Sequence, residues 1–144
     1  MQIEIHIPTS ALLNNQLDDF SAFCHQLDAK PIIIELQGAQ ESQQPMISKT
    51  VEASDRVILD AELEALKKAF VEAEYEVLRV KLEVDTDAVE VGKSLFPDYQ
   101  GGYYEWHGQV SQVDSEIIVK SGSLDQVHLS QNALSGGKGA RMLT

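Results

Sequence analysis

Val77-Leu78-Arg79-Val80-Lys81-Leu82-Glu83-Val84 is the stretch whose reading decides the fold. Leu78, Val80, Leu82 and Val84 alternate with Arg79, Lys81 and Glu83, the period of two of a strand with one apolar and one polar face. Just before it, Leu59, Leu63, Leu66, Phe70 and Ala73 recur every three or four residues behind Ser54 or Asp55, a striped helix with a ready N-cap. Glu64 precedes Lys68 by four residues, the favourable order for a surface pair. Further back, Met46 to Val51 reads as a weaker strand and Pro31 to Gln37 as a stronger one, with polar Gly38 to Pro45 as a loop between them. Leu13, Leu17, Phe20, Cys24 and Leu27 form another helical stripe, which Thr9 or Ser10 can cap, and Ile3 to Ile7 alternates strictly up to Pro8. The order strand, helix, strand, strand, helix, strand predicts an α+β protein with a ferredoxin-like βαββαβ core. In that arrangement both helices cover one face of an antiparallel sheet.

Beyond Val84 the pattern breaks. Residues 85–102 read as irregular, with Pro97, Gly101 and Gly102 as breakers. Tyr103 to Val110 alternates again, with Tyr104 and Trp106 on one side and Glu105, His107 and Gln109 on the other. Residues 113–121 fit a short helix or a strand equally well. Val127 to Ser130 and Ala140 to Thr144 read as strands, with a turn at Ser135-Gly136-Gly137. This order repeats the start of the first unit, so a partial second βαββ unit is expected to extend the sheet. The division is then residues 1–85 as the ferredoxin-like unit, 86–102 as a loop and 103–144 as the partial unit on the same sheet. An incomplete unit leaves an open sheet edge, which a homodimer continuing the sheet across a twofold axis would cover.

The chain has 144 residues, the size of one domain, with 23 acidic against 11 basic side chains and a formal charge of −12. That balance argues against binding to nucleic acid or to an anionic membrane, since both depend on cationic neutralisation. Neither a signal peptide nor an apolar run of about 18 residues is present. A single cysteine, Cys24, fits a reducing cytoplasmic setting, and its place on the apolar stripe reads as packing rather than nucleophilic chemistry.

The polar side of the strands carries the functional expectation. Alternation puts Glu4, His6, Glu35, Gln37, Arg79, Lys81, Glu83, Glu105, His107, His128 and Ser130 away from the apolar face. In a ferredoxin-like sheet the first and fourth strands are neighbours, which sets Glu4 and His6 beside Arg79, Lys81 and Glu83. The favoured reading is a face that binds an anionic small molecule, phosphorylated or carboxylated. Arg79 supplies a planar fork and Lys81 a point charge, with Glu83, His6, Ser130 and Arg141 as further binding residues. The turn Gly136-Gly137-Lys138-Gly139 adds backbone donors. His107 and His128 are the proton-transfer candidates and Glu105 orients them, with catalysis left open. The plain alternative is a solvated face with cross-strand ion pairs.

Two further readings stand beside it. His6, Glu105, His107 and His128 form a donor set for a divalent metal ion, opposed by the charges of Arg79 and Lys81. The chain also reads as a non-catalytic interaction module that self-associates through its sheet edge and an aromatic segment of Phe96, Tyr99, Tyr103, Tyr104 and Trp106. Aromatic residues so placed commonly pin a long loop to the core. No residue pattern names a cofactor.

At Arg79-Val80-Lys81-Leu82-Glu83, Tyr104-Glu105-Trp106-His107 and His128-Leu129-Ser130-Gln131-Asn132 the chain resembles a bacterial protein family with no established activity. That family pairs an R-x-K-x-E strand with an aromatic-E-x-H strand and an H-L-S-R-N segment. The resemblance takes in Gln44-Pro45-Met46 and Arg141-Met142-Leu143-Thr144, and so spans roughly residues 30–144. Gln131 stands where an arginine is common, which weakens any anion site that used it. Family members continue past the segment matching Arg141 to Thr144. The resemblance implies the sheet and marks these positions; it implies no function.

Overall fold

A computed structural model describes residues 1–36, 43–97, 101–105, 108–111, 129–132 and 140–143, the last three stretches and residues 35–36 by backbone alone. Within them β1 (Gln2–Pro8) is the reference strand. Its odd residues Ile3, Ile5 and Ile7 are buried, while Glu4 and His6 between them are only partly so. α1 (Leu17–Gln26), β2 (Lys30–Leu36), β3 (Gln43–Glu52), α2 (Arg56–Glu72) and β4 (Lys81–Glu83) follow. The strand order is β4-β1-β3-β2, with every neighbouring pair antiparallel. The molecule is thus α+β.

Both helices pack on the odd-residue face of β1. Phe20 and Cys24 of α1 and Leu59, Leu66 and Phe70 of α2 share one buried cluster with Ile3, Ile5, Ile7, Ile33 and Ile47. Aromatic edges lock the helices together: Phe23 meets Phe70 at 5.1 Å and Tyr75 meets Phe20 at 5.3 Å, both T-shaped. Cys24 lies fully inside, and burial pushes its thiol up to about 12, so it stays protonated and inert.

Helix starts differ in one case from the expectation. Asp55 caps α2, its Oδ1 accepting from the Ile58 N–H at 3.1 Å. α1 begins at Leu17, after a 3-10 turn over Asn14–Gln16, and Leu13 is exposed. Thr9 and Ser10 do not cap it. Thr9 N–H extends the sheet to Pro45 C=O at 2.9 Å, and its hydroxyl donates to Ser10 C=O at 3.0 Å.

β3 is central and ten residues long rather than weak. Its period was disguised because both faces are covered. Met46 and Ser48 lie buried on one side, and on the other Lys49 sends its chain among the helices. There Lys49 Nζ donates to Leu27 C=O at 2.5 Å and pairs with Glu62 at 2.9 Å. β2 also departs from the expected facing. Pairing of Ile33 with Pro45 and of Pro31 with Ile47 puts odd positions on the helix side. Glu35 therefore holds a helix-side register position, and Ile32 and Ile34 share the face of Glu4 and His6. Gln37 lies outside the described residues.

The largest correction concerns Val77 to Val84. Regular pairing covers Lys81–Glu83 alone, opposite His6, Ile5 and Glu4. Further along, Thr9 bridges to Val77. Two residues of β1 then face three of the other strand, Leu78, Arg79 and Val80, which is a β-bulge. Pro8 gives the reason: it accepts from Leu78 N–H at 3.0 Å but has no N–H to return, so the ladder cannot run through it. Leu78 and Val80 are consequently half exposed instead of lining the core.

Residues 85–102 contain a helix that the breakers concealed. A 3-10 turn over Thr86–Ala88 leads into α3 (Val89–Leu95). Leu95 and Phe96 close the core below α2, held by Arg56, which stacks on Phe96 at 4.4 Å and donates to Leu95 C=O at 3.3 Å. Gly102 has φ 124°, a conformation only glycine takes readily, and turns the chain into an irregular segment at residues 103–105. β5 (Gly108–Ser111), β6 (Leu129–Asn132) and β7 (Ala140–Leu143) continue the sheet past β2 in the order β6-β7-β5, again antiparallel. Residues 113–121, whose helix or strand character was open, and the turn at residues 135–139 lie outside the described residues.

Candidate functional site

On the face opposite the helices a cluster of ionisable groups lies where β1 meets β4. Antiparallel pairing sets Glu4 directly opposite Glu83 and His6 directly opposite Lys81. Two like charges directly opposite destabilise a sheet unless something lies between them. The His6 ring does. Its Nε2 is 3.0 Å from Glu4 Oε1 and its Nδ1 is 3.4 Å from Glu83 Oε1. Nε2 is buried and makes no well-aligned hydrogen bond. A doubly protonated ring can donate to both carboxylates. A neutral ring turns a lone pair toward one of them, and a lone pair beside a carboxylate is the donor arrangement of a metal ion.

Ser48 completes the near side. It pairs with His6 across β1 and β3, and its hydroxyl donates to Glu4 Oε1 at 2.5 Å. Burial pushes the Glu4 carboxyl up, but the Ser48 hydrogen bond, the His6 contact and the Lys30 charge outweigh it, leaving Glu4 below its ordinary 4.5. Glu4 is held as a carboxylate.

On the far side Lys81 Nζ is 2.8 Å from Glu83 Oε1 and also pairs with Glu105. Burial works against the Lys81 charge, yet the hydrogen bonds to Glu105 and Glu83 win and hold the ammonium above its ordinary 10.5. Tyr103 lies 5.5 Å from the same ammonium. The 101–105 segment is exposed along its backbone, but the Glu105 side chain is only 23 % exposed because it reaches down onto the sheet. Tyr103 and Tyr104 are largely exposed, whereas Phe96 is the aromatic that pins its segment to the core. Tyr99 and Trp106 lie outside the described residues.

Glu4, His6, Lys81, Glu83 and Glu105 therefore come together. Arg79 does not join them, because the bulge takes it out of the regular strand into solvent. Ser130 and Arg141 sit on β6 and β7, four and five strands from β4. At about 4.8 Å per strand they are roughly 19 and 24 Å away, too far to share a small molecule with Lys81. His107 and His128 lie outside the described residues. Ser48 was missed, and nothing local marks it; only the β1–β3 register makes it a neighbour of Glu4.

Glu4, His6 and Glu83 each offer one donor atom, all within 4.8 Å of one another. Among the described residues no helix is long and apolar enough to cross a membrane. Neither a protein-family model, nor a curated protein, nor a solved structure matches the chain.

Proposed function

We propose that the open face of the sheet binds a divalent transition-metal ion through Glu4, His6 and Glu83. The observation that carries this is the direct cross-strand opposition of Glu4 and Glu83 with the His6 ring between them. One imidazole and two carboxylates suit zinc or manganese, and one donor atom from each residue lies within 4.8 Å of the others. Of the expected metal set His6 stays, and Glu105 serves instead to hold Lys81. When an ion takes Glu83, Lys81 keeps Glu105 as its counter-charge. Three protein ligands leave coordination positions open, so an anionic small molecule would bind here as a ligand of the ion.

Calorimetric titration of chelator-stripped protein, made without a chelating tag, tests it with zinc and manganese as probes. One equivalent is expected to bind, with Glu4→Gln, His6→Gln and Glu83→Gln each at least about tenfold weaker and Glu105→Gln, which only removes the counter-charge of Lys81, weakened less. Affinity should fall with pH, since protons compete for the ligands. Absence of any binding heat or melting shift from either metal rejects the proposal. Phosphate titrated with and without metal then separates an ion-dependent anion site from one on Arg79 alone.

The fold reading that goes with this is a ferredoxin-like unit over residues 1–85. It is supported by the β4-β1-β3-β2 order and by helices packed on one face. A partial second unit over residues 103–144 is supported by the β5-β7-β6 order, which mirrors β1-β3-β2 across the β2–β6 pair. A cytoplasmic setting is supported by the free, buried Cys24.

A further inference from the structure

The outer side of β4 has a property that the cation site leaves unused. Thr9 N–H donates to Pro45 C=O at 2.9 Å and Ala53 N–H to Met1 C=O at 3.0 Å, so odd residues of β1 turn their backbone groups to β3. Leu78 N–H donates to Pro8 C=O, so even residues turn theirs to β4. Glu4 with Glu83 and His6 with Lys81 are then the hydrogen-bonded pairs, and Ile5 with Leu82 the non-bonded pair between them. In a non-bonded pair both backbone groups point away from the partner. Leu82 therefore aims its N–H and C=O outward, and no described residue meets them. Natural sheets cover or blunt such an edge.

We infer that a second copy of this chain covers it, antiparallel, with the twofold axis at Leu82. Under that operator Leu82 exchanges hydrogen bonds with the partner's Leu82. Lys81 stands opposite the partner's Glu83, and Glu83 opposite the partner's Lys81. These charged positions are non-bonded pairs, where side chains approach most closely. Lys81-Leu82-Glu83 is thus its own electrostatic complement when reversed, and a register centred on Lys81 or Glu83 would set like charges against each other. Val80, half exposed, stands opposite the partner's Val84 and extends the contact with apolar surface. This edge lies at the opposite end of the sheet from β5, next to which a completed second unit would add its strand.

The contact is short, well below the roughly 1,200 Å² of a stable complex, and each copy carries −12. A weak dimer follows, strengthened by concentration and by salt that screens the repulsion. Sedimentation velocity and amide hydrogen exchange, both in chelator so that the cation proposal is not involved, test it. The dimer fraction should rise from micromolar to near-millimolar protein, and the Leu82 amide should exchange more slowly as it does. Lys81→Glu should weaken association roughly tenfold, and adding Glu83→Lys should restore it. If that double variant fails to fold by circular dichroism, Val80→Lys, at a half-exposed position outside the cluster, serves alone and should be monomeric. A monomer at every concentration overturns the inference. So does a dimer whose Leu82 amide exchange is independent of concentration, or one that Val80→Lys leaves intact.

Discussion

β1 and the Val77–Val84 segment carry nearly the same alternating pattern, and the structure treats them differently. β1 keeps its alternation over the whole strand, with Ile3, Ile5 and Ile7 inside. The other segment keeps it over Lys81–Glu83 alone and loses Leu78 and Val80 to solvent. β1 has a ladder on each side, so slipping by one residue would break two sets of hydrogen bonds and bury Glu4 and His6. Among the described residues β4 has one ladder, and that ladder meets Pro8, which cannot donate. A pattern states which face a residue prefers; the number of paired neighbours decides whether the preference is enforced.

Truncation should expose this difference most strongly. Ile5→Ala removes a fully buried side chain between both helices and is expected to cost about 2–5 kcal/mol, while Val80→Ala at the bulge should cost less than about 0.5 kcal/mol. Urea unfolding measures both, and equal costs would mean that the bulge residue packs as the central one does.

The chain leaves both α1 and α2 through residues of left-handed backbone. Glu74, with φ 59°, leads from α2 toward the bulge, and Asp28, with φ 52°, leads from α1 into regular β2. Helices commonly end on glycine in this conformation, and aspartate tolerates it better than glutamate. Glu74→Gly is expected to stabilise by about 0.5–1 kcal/mol and Asp28→Gly by less, read as a rise in melting temperature. A fall for Glu74→Gly would contradict the strain.

The smallest effect is in pH. Glu4 is held below its ordinary 4.5, so its contribution is complete above that value and is lost as pH falls through the lower folded value. Lys81 is held above 10.5, so its contribution is complete below that value and is lost as pH rises through the higher folded one. Both groups are partly solvated, and each contribution should stay below about 1 kcal/mol. Glu4→Gln should flatten only the acid limb of a stability profile and Lys81→Met only the alkaline limb. Removal of the same limb by both would mean that the groups act as one unit.

The helices and the first strand were legible because their signals are local. Leu59, Leu66 and Phe70 declare a helical stripe, Asp55 declares its start, and Ile3 to Ile7 declares a half-buried strand. β3 was understated because Lys49 and Met46 obey neighbours on separate faces, and α3 was hidden by Pro97 and the glycines that follow it. The neighbourhood on the open face was also partly legible: Glu4 and His6 were expected beside Lys81 and Glu83, and these four meet. Ser48 was not, and Arg79 was assigned to a site it does not reach.

Periodicity, capping and charge follow from neighbours a few residues apart, so the chain's own order already dictated an acidic α+β protein with a two-faced first strand. Register is a relation between distant segments, chosen by which pairing buries the most apolar surface and leaves the fewest backbone groups unpaired. Only folding could therefore set Glu4 against Glu83, bring Ser48 to Glu4, and let the missing N–H of Pro8 move Arg79 into solvent.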